Sequence, residues 1–219
     1  MRYILLLSLF LITNGCNGQE KTNNPSKKDT MEYFNIDQYK DWENDDDYSS
    51  SDHHKFYKKA NERVEITIYD DAITVRKKYI NTPFVSIKSF YPNSMIKYSG
   101  NDFYATHIGT WQEFDSKGNL IKETDYDKTY KFSIKDLIEK IKKEYKVNLE
   151  DKQEGASAGR REKNTIFYYE VSLKSKEAPL KMDYILIDGN TGKTLFKSYY
   201  YIKGRRKNPF DEYLESLKK

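Results

Sequence analysis

A chain of 219 residues with 38 basic and 34 acidic side chains carries a formal charge of only +4, although 33% of it is charged. The two signs are interspersed, as on ordinary solvated faces, and no strongly basic stripe with stacking aromatics is present, which excludes a nucleic-acid-binding class. A single cysteine excludes a disulfide framework, and 20 tyrosines with 11 phenylalanines point to a core built from aromatic rings with the tyrosine hydroxyls at the surface.

Met1-Arg2 gives a short positive start, and Tyr3 to Ile12 is apolar apart from Ser8. A run of this length is about half of the ~20 residues a membrane-spanning helix needs. It fits instead the apolar region of a secretory signal. Thr13-Asn14-Gly15-Cys16 follows, with a small residue just ahead of the cysteine. This arrangement resembles the lipobox of bacterial lipoproteins, although Thr13 stands where that family prefers leucine. The resemblance implies that residues 1–15 are removed and that Cys16 is acylated, palmitate included. The chain would then be held by a lipid membrane in the bacterial cell envelope, on an outer-membrane, periplasmic or surface face. The alternative is an ordinary signal peptide cut nearby, leaving a free thiol. Residues 16–31 are polar and read as a flexible tether.

Residues 32–130 read as an N-terminal helix followed by β-hairpins. Phe34, Tyr39 and Trp42 lie at helical spacings, and Asn44 to Asp52 reads as an acidic loop. That loop lacks the glycine and the final glutamate of a calcium site, so a metal is not expected there. His53-His54 reads as an exposed pair without a third ligand. From Val64 the period changes to two. Val64–Tyr69 with Ala72–Lys77, Ser86–Tyr91 with Ser94–Tyr98, and Thr110–Phe114 with Asn119–Glu123 read as three hairpins. Phe90 aligns with Phe114, and Ile96-Lys97 aligns with Ile121-Lys122 if one extra turn residue is allowed, so the hairpins form a repeat of 22 to 25 residues. The unit Trp111, Phe114-Asp115, Gly118 and Leu120-Ile121-Lys122-Glu123 resembles the hairpin of MORN-variant repeats. These occur in bacterial lipoproteins and in proteins labelled as antitoxins.

Residues 131–219 read as a helix packed on antiparallel strands. Ser133 and Asp136 form a capping box, and Ile134, Leu137, Ile138, Ile141 and Tyr145 make one apolar stripe. Glu150 to Asn164 reads as a flexible loop. Thr165–Leu173, Lys181–Asp188 and Thr194–Tyr201 read as strands, the last two joined by Gly189–Lys193. Tyr184, Ile185, Ile187-Asp188, Thr191-Gly192 and Leu195 after a helix resemble a PepSY domain, a small binding or inhibitory module without catalytic residues. Lys203 to Lys207 is the densest basic run and reads as a solvated loop. Phe210, Tyr213, Leu214 and Leu217 give a closing amphipathic helix.

The expected fold class is therefore α+β, with antiparallel β-hairpin repeats followed by a helix packed on an antiparallel sheet. No nucleophile stands near a base in sequence; His107 reads as a strand-edge histidine satisfied by backbone. The reading is a non-enzymatic, cofactor-free module with a protein partner, either a toxin or an envelope enzyme. Trp111, Tyr91, Tyr98 and Asp188 are its candidate contact residues. Immunity or inhibition is the leading role, and binding of peptidoglycan or glycan is the other.

Overall fold

The computed structural model describes residues 32–203 and 207–218. The signal segment 1–15, Cys16, the tether 16–31 and Gly204 to Arg206 of the basic run lie outside the described residues. The fold is α+β but mostly β: an eight-stranded and a four-stranded antiparallel sheet with two helices. No helix among the described residues is long and apolar enough to cross a membrane.

The eight-stranded sheet is a meander in chain order: β1 (Glu43–Asn44), β2 (His54–Lys59), β3 (Glu62–Ile68), β4 (Ile73–Tyr79), β5 (Phe84–Phe90), β6 (Ile96–Phe103), β7 (Thr106–Phe114) and β8 (Leu120–Asp125). Three of its hairpins are those expected from the period-two pattern. The antiparallel pairs β2–β3, β4–β5 and β6–β7 are not among the expected hairpins; β2 lies ahead of the first expected strand. Instead of a full helix, the first segment makes one 3₁₀ turn over Ile36–Tyr39, capped by Asn35. Phe34, Tyr39 and Trp42 from this segment lie over Val64, Ile66, Val75, Phe90 and Ile96, and so cover one face of the sheet.

The turns after β5 and β7 are built alike. Phe90 pairs with Ile96 and Phe114 pairs with Leu120, so no extra turn residue separates them. Tyr91 and Asp115 each receive the chain back four residues later, and Ser94 (φ 67°) and Gly118 (φ 83°) occupy the same left-handed position. Tyr91 Oη donates to the Phe114 carbonyl at 2.8 Å, tying the two turns together.

The second sheet runs β12–β11–β10–β9, from β9 (Ser157–Lys163), β10 (Ile166–Lys174), β11 (Lys181–Asp188) and β12 (Thr194–Tyr201). Strand β9 corrects the expected flexible loop over 150–164. Its sequence, Ser-Ala-Gly-Arg-Arg-Glu-Lys, has no apolar alternation, yet it pairs with β10 along its whole length. The small residues let it lie close, and Arg160 fills the place of a hydrophobe. Its guanidinium sits 4.2 Å from the Tyr130 ring centroid, donates to the carbonyls of His107 and Tyr126, and pairs with Asp127 at 2.7 Å.

Helix α1 (Ile134–Tyr145) carries the expected capping box and buries Leu137, Ile138 and Ile141 against Tyr169, Val171, Leu173, Ile185 and Ile187. Helix α2 (Pro209–Ser216) sets Phe210 and Tyr213 against Tyr168, Tyr184 and Leu186 on the opposite face. Leu217 lies past its end and is exposed. Phe84, Phe103 and Ile108 of the large sheet join the α1 core. Tyr169 and Tyr184 do not send their hydroxyls to the surface. Tyr169 Oη donates to the Phe132 carbonyl at 2.8 Å, and Tyr184 Oη donates to Glu170 at 2.8 Å. A buried ring can be tolerated in this way because its polar tip keeps a partner.

Candidate functional site

Neither α1 nor α2 covers the face of the eight-stranded sheet opposite Tyr39 and Trp42; the 3₁₀ turn Lys152–Glu154 reaches only one end of it. On this face Glu65, Arg76 and Ile87 are direct cross-strand partners on β3, β4 and β5, Asp102 and His107 are partners on β6 and β7, and His54 on β2 stands diagonal to Glu65. Among the polar members, carboxylates alternate with basic side chains. His54 Nε2 meets Glu65 at 2.8 Å, Arg76 stands 4.0 Å from Glu65 and 3.8 Å from Asp102, and His107 Nδ1 meets Asp102 at 2.6 Å. Beneath this row Ile87 is buried. The Asp102 side chain is 7% exposed, so this carboxylate is committed to Arg76 and His107.

On the β6–β8 side of the row opens a groove of about 420 Å³, lined by Tyr91, Tyr98, Trp111, Tyr126, Ile121 and the His107–Asp102 pair. A bulge makes it. Ladder positions Ser99 to Asn101 on β6 face Gln112 to Ile108 on β7, so β7 holds two extra residues there. Gly109 turns through φ +61° with open space around the position of a Cβ; it is required for its backbone angle. The bulge folds Trp111 down onto Gly100, where a Cβ would lie 2.1 Å from the indole. Trp111 Nε1 donates to the Asn101 carbonyl at 3.1 Å, and its ring stands 3.9 Å from His107 and 6.0 Å from Tyr98. The anchor ring is thus held in one place before any ligand arrives.

Three of the four residues singled out from sequence, Tyr91, Tyr98 and Trp111, line this one groove. Asp188 does not. It stands in the β11–β12 turn and accepts from the backbone N–H of Asn190 and Thr191 and from the Thr191 hydroxyl, at 2.7 to 3.0 Å. Although burial pushes its pKa up, these bonds hold the carboxyl below its usual range. Its visible work is to shape the turn. His107 is satisfied by a carboxylate rather than by backbone, and His54 is half-buried on Glu65 rather than exposed.

Arg76, Asp102, Glu113 and Tyr126 are groove residues the sequence reading missed. One signal was present. A two-residue turn at Tyr104-Ala105, with Tyr104 at φ 55°, sets Asp102 directly opposite His107. No serine, threonine or cysteine lines the groove beside the His107–Asp102 pair. No cluster among the described residues has the ligands to hold a metal ion. No family model, curated protein or solved structure matches the chain.

Proposed function

We propose that the chain is an envelope lipoprotein, anchored through acylated Cys16, whose folded part is a non-enzymatic protein-binding module. The role offered is immunity or inhibition, blocking a toxin or hydrolase that reaches the envelope. The anchor and this role rest on the lipobox-like, MORN-variant-like and PepSY-like resemblances. The binding surface rests on one observation: an aromatic groove with a fixed tryptophan on the uncovered face of the large sheet. Rigid aromatic anchors at the centre of a depression are what dominate the energetics of protein interfaces.

Paired capture tests it. Wild-type protein and Trp111→Ala, both checked for folding, are used to recover partners from the cell that makes them. A partner protein held by the wild type and weakened more than tenfold by Trp111→Ala supports the reading, since central anchors contribute about 2 kcal/mol or more. Equal recovery by both overturns it. Cys16→Ser is expected to release the protein from the membrane fraction; retention there refutes the anchor.

A second reading, binding of peptidoglycan or another glycan, is favoured by the hydrogen-bonding groups of Glu113 and His107 set among the rings. Retention on isolated cell-wall sacculi that is lost in Trp111→Ala would select it.

A further inference from the structure

At the other end of the charge row the same face changes character. Lys58, Arg63 and Lys78 are direct cross-strand partners on β2, β3 and β4, so three cations stand abreast. Like charges placed directly opposite each other destabilise a sheet. Arg63 is compensated: it pairs with the buried Asp45 and, at 2.7 Å, with Asp47. Lys78 is not. Its ammonium has no hydrogen bond and no ion pair to an acidic group among the described residues.

Lys78 lines a cavity of about 300 Å³ together with Arg63, Arg76, Tyr48, Tyr104 and Lys152. The last of these comes from the segment before β9, and its ammonium is likewise without an ion pair among the described residues. Two contacts hold that segment over the sheet. The Lys152 N–H donates to the Asn81 carbonyl at 2.8 Å, and Tyr104 Oη donates to the Leu149 carbonyl at 3.0 Å. The one acid of the lining, Glu65, already holds His54. Burial, then the charges of Lys152 and Arg63, draw the Lys78 pKa below the ordinary lysine range. Lys78 and Lys152, brought into one preformed cavity without an ion pair of their own among the described residues, match the chemistry of an anion site.

We propose that this cavity binds a doubly charged oxyanion, of the kind a phosphate monoester or a dicarboxylate presents, on Lys78 and Lys152. The proposal goes beyond the aromatic groove and does not depend on it. Absence of anion binding leaves the Trp111 capture result untouched, and the reverse holds as well.

The test uses the full-length chain at low ionic strength, with inorganic phosphate and malonate as probes and sodium chloride at matched ionic strength as reference. Binding is read by calorimetric titration and by thermal melting. Saturable binding, at least tenfold weaker in Lys78→Gln and in the exposed Lys152→Gln and unchanged in Lys163→Gln, supports the site. Preference for phosphate or for malonate then identifies the source of the oxyanion. A second signature is opposite in sign. Without anion, Lys78→Gln is expected to melt higher by about 1–3 °C, because it relieves like-charge crowding. Two outcomes overturn the proposal: affinity that survives both substitutions, or a melting shift that chloride reproduces in full.

Discussion

The two sheets of this protein spend their faces differently. The four-stranded sheet is closed on both sides, by α1 over Tyr169, Val171 and Ile187 and by α2 over Tyr168, Tyr184 and Leu186. The eight-stranded sheet is closed on one side and keeps the other for a charge row, an aromatic groove and a cationic cavity. A strand buried on both faces reads as a near-continuous hydrophobic run, as β11 does at Tyr184-Ile185-Leu186-Ile187. Strands of the open sheet instead mix rings, carboxylates and cations on the uncovered face. The lesson is that rigidity and recognition are weighted differently in the two sheets, and substitutions in each test how far they can be disturbed alone.

Alkaline titration gives the largest expected effect. Burial raises the pKa of Tyr39, Tyr104, Tyr130, Tyr168, Tyr169 and Tyr184, with Tyr104 and Tyr130 pushed up to about 12. Their folded-state values lie above the unfolded value of about 10, so the stability they contribute is complete below pH 10. It is lost as pH climbs through the folded-state values. Cooperative unfolding between pH 10 and 12 is expected, with these phenols ionising only as structure is lost. Phenolate absorbance and circular dichroism recorded on one sample check it; ionisation of all 20 tyrosines with native dichroism intact would break the comparison.

Next in size is Ile187→Ala, at a fully buried position between the small sheet and α1. It is expected to cost about 2–5 kcal/mol in denaturant unfolding while leaving groove binding in the folded fraction unchanged. Gly100→Ala is the counterpart on the open sheet. The new methyl collides with Trp111, so the indole must leave its seat at a cost of about 1–3 kcal/mol. Near-ultraviolet dichroism should report the displaced ring, and partner capture should fall as for Trp111→Ala. The smallest effect is Ser133→Ala, which removes the cap of α1 and costs about 1 kcal/mol with capture unaffected. A loss of capture here would couple the two sheets more tightly than the comparison allows.

Legibility in sequence followed the same division. Helix α1 was readable to its cap because Ser133 and Asp136 sit three apart before a 3.6-residue stripe. Hairpins with alternating Ile and Val were readable for a similar reason, and large rings drew attention to Tyr91, Tyr98 and Trp111. The pairing of Asp102 with His107 was hidden because neither residue is unusual alone; only the Tyr104-Ala105 turn brings them together. Strand β9 was hidden because tertiary contacts, not alternation, make it a strand. Asp45 sits in an acidic run that reads as solvated, yet it is the most buried of that run because Arg63 from β3 meets it there.

Arg160 has a mechanical consequence. It belongs to the closed sheet, but it grips the backbone of His107 and Tyr126, which form a wall of the groove. Its side chain is only 6% exposed and lies against Tyr130 and Tyr169 in the α1 core. The stiffness of that wall is therefore set outside the sheet that carries it. The small sheet acts as a buttress, and a ligand that strains the groove pushes against a packed interior on the far side of the molecule.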